Sequence, residues 1–347
     1  MRAALRLKAA IALCALAATA CTDPVDKAAK KRIFSPEDPP QAILSAAEKL
    51  PPENVADDVA LARRVLGMGA AEATERIGPH KYSASLSFEW NTPGGTKTLR
   101  LSENRTLLAG PGGVSGDFHA TQDNNREQGI EVMRVHSQVY ARSRFGKFRQ
   151  RLRDRGMAER IREETFGAIG DYDSIFQGRL KLTAAQGTVT HEGRTAWKYS
   201  VALGPPVNLA EKPLPPLLAP LKDAGFDEPT RRRQEFFSAR QPRTLQGEVL
   251  VDAETSVVLK ARLDGRLGVG LDGGEAELRL QLESALSDIG KDPKIAVPKD
   301  FLPDEDKPMG IAAAYERFGV PRGATDGGTA TSKPSAGSGE PADEGAE

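Results

Sequence analysis

Two cysteines in 347 residues cannot build a disulfide framework or a cysteine-rich zinc module. Four histidines are too few for a histidine-rich metal site. An excess of charge of one sign is missing as well. The 48 Lys and Arg balance 48 Asp and Glu, which excludes a generally basic nucleic-acid binder. Aromatics make up 5% of the chain, a thin supply for filling a wide barrel. Catalytic fingerprints are also missing: no Gly-x-Ser-x-Gly, no His-Glu-x-x-His, no phosphate-binding loop and no dinucleotide-binding glycine pattern. The sequence therefore predicts a protein without cofactor, metal or enzymatic activity.

What is present begins with an address. Arg2, Arg6 and Lys8 lead into an apolar stretch from Ala9 to Ala18, and Ala18-Thr19-Ala20 precedes Cys21. A bilayer-spanning helix needs about twenty apolar residues. A shorter run with a basic start and a small-residue exit reads as a secretory signal peptide over 1–20. Cys21 sits where a bacterial lipoprotein carries its acylated cysteine. Ordinary cleavage at the same place is the alternative. It would leave Cys21 as an unpaired thiol in an oxidising compartment, because Cys14 departs with the signal. Acylation turns that liability into an anchor. The expected location is the bacterial cell envelope, lipid-anchored, with Thr22 leaning towards the periplasm-facing outer membrane. Residues 21–39 read as a polar tether with a basic knot at Lys27, Lys30, Lys31 and Arg32.

From residue 40 the pattern is helical. Ile43, Ala46, Ala47 and Leu50 share a face. Asn54 is placed to cap a second helix with Val55, Val59, Ala62, Val65 and Leu66 as its stripe, ended by Gly67 and Gly69. At Lys81 the period changes to two. Tyr82, Ala84, Leu86, Phe88 and Trp90 alternate with polar residues, and turn chemistry over Asn91–Gly95 joins them to Leu99 and Leu101 as a hairpin. Strands follow around 116–123, 130–135 and 139–144. Residues 148–176 read as charged helices divided at Gly156 and Gly170, with Leu152, Ile161, Phe166 and Ile169 inward. Strands resume over 179–183, 188–191 and 195–203, where Trp197, Tyr199 and Val201 share a face. Six prolines between Pro205 and Pro220 mark an insertion over 204–243 that interrupts the sheet. The last strands are the cleanest, running Val257 to Leu267 and then Leu278, Leu280 and Leu282 against polar partners. Residues 322–347 hold no core-forming residue and read as a disordered acidic tail. The sum is a mainly β, α+β chain. It forms one domain over 40–321, a curved antiparallel sheet or incomplete β-barrel with helices covering the open side.

That order of elements resembles the LolA/LolB-type lipoprotein carriers and the related LppX/LprG-like lipid-binding lipoproteins. The likeness rests on the lipobox at Cys21, a helix before the first strand, the Tyr82–Trp90 strand, the helical segment at 148–176, and the late hairpin with its Val251-Asp252-Ala253-Glu254-Thr255 turn. The resemblance implies a bent half-barrel whose helices cover an apolar cavity for lipid or lipoprotein acyl chains. The insertion over 204–243 and the acidic tail depart from the family's pattern.

Alternation puts Phe88, Trp90, Leu99, Leu101, Trp197, Tyr199, Val201, Leu278, Leu280 and Leu282 on one curved apolar surface as ligand-cavity candidates. Nine basic residues and two acids lie between Arg142 and Arg162. Arg149, Arg151, Arg153 and Arg155 are the candidate phosphate or head-group contacts, since export makes nucleic acid the wrong partner. Asp117 and His119 point the same way on a strand and read as a surface polar pair. Glu163-Glu164 read as solvated acids. The expected function is a membrane-anchored periplasmic lipoprotein that binds or transfers a lipid or other hydrophobic ligand. The alternative is a non-catalytic structural or interaction lipoprotein of the cell envelope with a filled core. For the anchor, Cys21→Ala is expected to move the protein from the membrane to the soluble periplasmic or culture fraction. Radiolabelled palmitate should enter the wild type alone, and an unlabelled wild type overturns the assignment.

Overall fold

Wherever the sequence alternates, the computed structural model has a strand. It describes residues 41–92, 98–152, 154–206, 236, 239–271 and 274–304. Six strands come first: β1 (His80–Asn91), β2 (Thr98–Ala109), β3 (Phe118–Asn124), β4 (Gly129–Val135), β5 (Gln138–Ser143) and β6 (Phe148–Arg151). Six more follow: β7 (Leu180–His191), β8 (Arg194–Leu203), β9 (Arg240–Asp252), β10 (Val258–Leu271), β11 (Gly274–Ser287) and β12 (Phe301–Leu302). All belong to one twelve-stranded sheet of order β12-β6-β5-β4-β3-β2-β1-β11-β10-β9-β8-β7. β1 and β11 join the two halves, with Leu86 opposite Leu282 and Phe88 opposite Leu280. Every pairing is antiparallel except β12 on β6. The edge strands β7 and β12 do not pair with each other, so the sheet stays open.

Five α-helices accompany the sheet among the described residues: α1 (Gln41–Ala47), α2 (Val59–Leu66), α3 (Ala70–Ile77), α4 (Met157–Phe166) and α5 (Ala168–Ile175). α4 lies over β2, β3 and β4, and α5 over β11. They cover the face that carries Leu86, Leu107, Ala120, Tyr199, Val249, Leu263 and Leu282, all buried. Beyond α5, Phe176 stacks on Tyr172 at 4.8 Å, and the Tyr172 hydroxyl donates to the Leu280 carbonyl at 3.2 Å. Both rings are completely buried, and such burial contributes about 1.5–3 kcal/mol each. Gly265 makes their seat: a Cβ there would lie 2.3 Å from Phe176 Cζ and 2.7 Å from Tyr172 Oη.

The chain before β1 is fastened to β8–β10. The Ser256 hydroxyl donates to the Leu50 carbonyl at 2.7 Å, and the Tyr199 hydroxyl donates to the Pro52 carbonyl. Asp252 orders the β9–β10 turn by accepting from the Thr255 backbone (2.9 Å) and hydroxyl (2.6 Å), while Arg194 grips it from below at 2.7 and 2.8 Å. Burial alone would raise the Asp252 pKa. The Arg194 and Thr255 hydrogen bonds outweigh it and hold the carboxyl below its usual range.

Several expectations need correction. Residues 148–151 are a short strand between β5 and β12, in which Phe148 packs beneath Arg142 while Arg149 and Arg151 are exposed. Leu152, expected inward, is 59% exposed. The break between α4 and α5 falls at Gly167, with Gly170 inside α5. Asp58, not Asn54, caps α2, its Oδ1 accepting from Ala60 N (2.8 Å) and Leu61 N (3.1 Å). Residues 180–191 are one strand with two irregularities, and the sheet resumes at Arg240, where Pro242 coincides with a shift of register. The tail over 322–347, the signal, the tether and most of the Pro-rich insertion lie outside the described residues. Because the seat at Gly265 has no spare volume, Gly265→Ala is expected to cost about 1–3 kcal/mol in chemical denaturation. An unchanged midpoint would contradict this packing.

Candidate functional site

Strand register places the ten cavity candidates on one face, with Phe88 opposite Leu101 and Leu280, and Trp90 opposite Leu99 and Leu278. Their fates differ along it. Tyr199, Val201, Leu278, Leu280 and Leu282 are buried in the core, and Phe88, Trp90 and Trp197 pack half-buried against it. Leu99 is 55% exposed, and Leu101 is half-buried outside that cluster. Tyr172 occupies the space over Leu280.

A cavity among the described residues is lined by none of the ten. With a volume of about 260 Å³, it sits where the α2–α3 and α4–α5 junctions meet β1, β10 and β11. Local sequence explains the gap. α2 stops at Gly67, whose N–H bonds the Arg63 carbonyl at 2.9 Å, and α3 starts after Gly69. Glu163 reaches across from α4 and accepts from Ala70 N (2.6 Å) and Ala71 N (3.1 Å), filling two of the four donors a helix start leaves open. Gly69 permits that approach, since a Cβ would lie 2.5 Å from Glu163 Oε2. Arg162 stands 3.3 Å from the same carboxylate. Glu163 is therefore a structural tie between helices, a correction to its reading as a solvated acid. Its partners lie 93 and 92 positions away, which hides them from any local pattern. Glu72 ties the same corner together, paired with Arg64 (2.6 Å) and Arg76 (2.9 Å).

The rest of the wall is apolar, from Val65, Leu66, Met68, Phe166, Ile169, Val257 and Leu259, with Ser284 and Tyr82 beside them. The Tyr82 ring packs on Phe166 at 4.8 Å, and its hydroxyl, close to Ser284 and Ala168, makes no hydrogen bond of proper geometry. Burial pushes the Tyr82 pKa well up, so the phenol stays protonated. Gly67 and Gly170 are exposed at the rim, and open space lies where a Gly170 Cβ would stand.

The other candidates are dispersed. Arg149, Arg151 and Arg155 are exposed along the β6 edge, while Arg153 and Cys21 lie outside the described residues. His119 does not work with Asp117: its Nε2 meets Glu131 at 2.7 Å, and Arg142 donates to the other Glu131 oxygen at 2.6 Å. The His119 and Arg142 contacts hold the Glu131 carboxyl low against its burial. Asp117 instead accepts from the His136 backbone at 2.9 Å. Among the described residues no group of three or more His, Cys, Asp or Glu is placed to hold a metal, and no helix is long and apolar enough to cross a membrane.

No family model and no curated protein matches this chain. Among the solved structures that are similar to it, two illustrate how low the likeness is. A DUF1329 family protein from Desulfovibrio piger ATCC 29098 is 12% identical over 70% of this chain and 95% of its own, at a TM-score of 0.20. DynF from the dynemicin biosynthesis pathway of Micromonospora chersina is 9% identical over 60% and 80%, at 0.17. At these scores neither carries an argument about this chain.

His80 stands beside this site, buried, with its ring 6.1 Å from Phe166, Nδ1 2.9 Å from the Gly78 carbonyl and Nε2 unpartnered. Burial lowers its pKa despite the Gly78 contact, so the folded protein holds it neutral. Below about pH 6.5 the unfolded chain binds a proton that the folded chain refuses, so stability falls as pH drops, by up to about 1.4 kcal/mol per pH unit. His80→Phe is expected to flatten that part of the stability–pH curve, measured by denaturation between about pH 7 and 5. Parallel curves for the two proteins would show that His80 does not contribute.

Proposed function

We propose that this protein is a lipid-anchored protein of the cell envelope that holds a neutral apolar group, such as the end of an acyl chain, beneath its helix junctions. The observation that carries the reading is the chemistry of the cavity wall. Its side chains are apolar but for Ser284, the Tyr82 hydroxyl and Glu163, and Glu163 is already engaged by two backbone donors and Arg162. No Lys, Arg or His lines it, so an entering carboxylate would be buried without a cationic partner, a costly state. The volume of about 260 Å³ lies below the range of about 300–1,000 Å³ that encloses whole small ligands. The cavity therefore suits one end of a longer molecule, and each methylene buried there contributes about 0.8 kcal/mol. Acylation at Cys21 would keep the body beside a lipid source.

One observation favours the second reading. Tyr172 and Phe176 fill the middle of the sheet face, as a non-catalytic interaction module with a filled core requires. Gly170→Trp separates the two. The position is helical and opens onto free space, and Gly in a helix interior is itself unfavourable by about 1 kcal/mol, so the substitution leaves stability intact or raises it. The wild type is expected to take up a fluorescent acyl ester and the variant to lose that uptake at an undiminished thermal midpoint. No uptake by the wild type, or equal uptake by both, would leave the interaction module.

A further inference from the structure

The meander β1 to β6 reverses direction at every strand, which puts the β1–β2, β3–β4 and β5–β6 turns at one end of the sheet. The β5–β6 turn, Arg144–Lys147, carries Phe145 at its tip. Phe145 is 75% exposed, the most exposed large hydrophobic side chain among the described residues. It is not loosely placed. The Arg144 guanidinium lies over the ring at 5.4 Å and donates to the Asn124 carbonyl at 2.7 Å, bracing the turn against the β3–β4 connection. Lys147 and Arg149 stand exposed beside it, with Arg151 and Arg155 further along the same edge, and none of these four makes an ion pair among the described residues. The exposed acids at this end are Glu127 on the neighbouring turn, preceded by Arg126, and Asp300, which with Lys299 precedes Phe301 opposite Phe148. Leu99, exposed at the start of β2, adds a second apolar group at this end of the sheet.

An aromatic ring held out into water and ringed by unpaired cations has one chemically complementary surface. It is an apolar layer beneath a sheet of negative charge. We propose that the β5–β6 turn docks on an anionic lipid bilayer, with Phe145 entering the interfacial region and Arg144, Lys147 and Arg149 meeting phosphates. The contact is peripheral and reversible. It does not depend on the cavity reading and adds a second attachment to the one expected at Cys21. An acidic protein partner would use the cations but would not need an inserted ring.

The test is co-sedimentation of the exported, unacylated chain carrying Cys21→Ala with vesicles of phosphatidylcholine alone or mixed with phosphatidylglycerol. Binding is expected to the mixed vesicles and not to phosphatidylcholine, and to disappear at high salt. Phe145→Ala should weaken it about tenfold, and Lys147→Ala and Arg149→Ala about fivefold each. The thermal midpoint should not move, because these side chains are exposed. Absence of binding to the mixed vesicles, or equal binding by Phe145→Ala, overturns the proposal. So does a fall of several degrees in the Phe145→Ala midpoint, which would show the ring is packed within the fold. Failure here leaves acyl-ester uptake by the cavity untouched, so the two readings fail separately.

Discussion

An open sheet with one apolar face must be covered by something other than itself, and that requirement organises this protein. A closed barrel covers its own interior. Here β7 and β12 stay apart, so cover has to come from connections. The chain finishes its meander at β6 and must start β7 at the opposite edge. The only way to do both is to cross the sheet, and it crosses on the apolar face as α4 and α5. The return to β12 solves the converse problem. After β11 the chain runs back to the β6 edge, where Ile295 packs on a second small cluster of Met133, Val135, Tyr140 and Phe148 and Phe301 meets Tyr140 at 5.0 Å.

The quality of that cover varies along the face. Where Gly265 lets Tyr172 and Phe176 sit flat on β10 and β11, the fill is complete. Where two helix junctions meet over Tyr82 and Ser284, four glycines stand in place of side chains, and a cavity remains. The corner is nevertheless stiff, since Glu163, Glu72 and their arginines lock the helices around it. A site with fixed walls and an unfilled centre loses little conformational freedom when a ligand enters, which favours binding.

The sheet was legible because its signal is local: alternation identified β1, β2, β8, β10 and β11 and the face their apolar residues share. Elements whose signal is weak or non-local were not. β6 has four residues and three of them are polar, so its charge read as helix; β12 has two residues and exists only because β6 offers an edge. α3 begins just after Gly67 and Gly69, where the sequence reading ends the second helix, and it has no element of its own in that reading. The cavity at the helix junctions is not legible in the sequence for a related reason. Alternation says which residues share a face but not which helix lands on it, and the seat for Tyr172 depends on Gly265, 93 positions later in the chain. Glu163 was hidden in the same way, since its meaning lies at the start of α3.

The central claim is that the space left by incomplete cover is there to be filled by a neutral apolar molecule. Native mass spectrometry of the full chain, purified gently and then again after lipid extraction, addresses it most directly. The account predicts one bound species of lipid-like mass in the first spectrum, absent from the second and restored by adding an acyl ester. Identical masses before and after extraction, with no species restored, would contradict it.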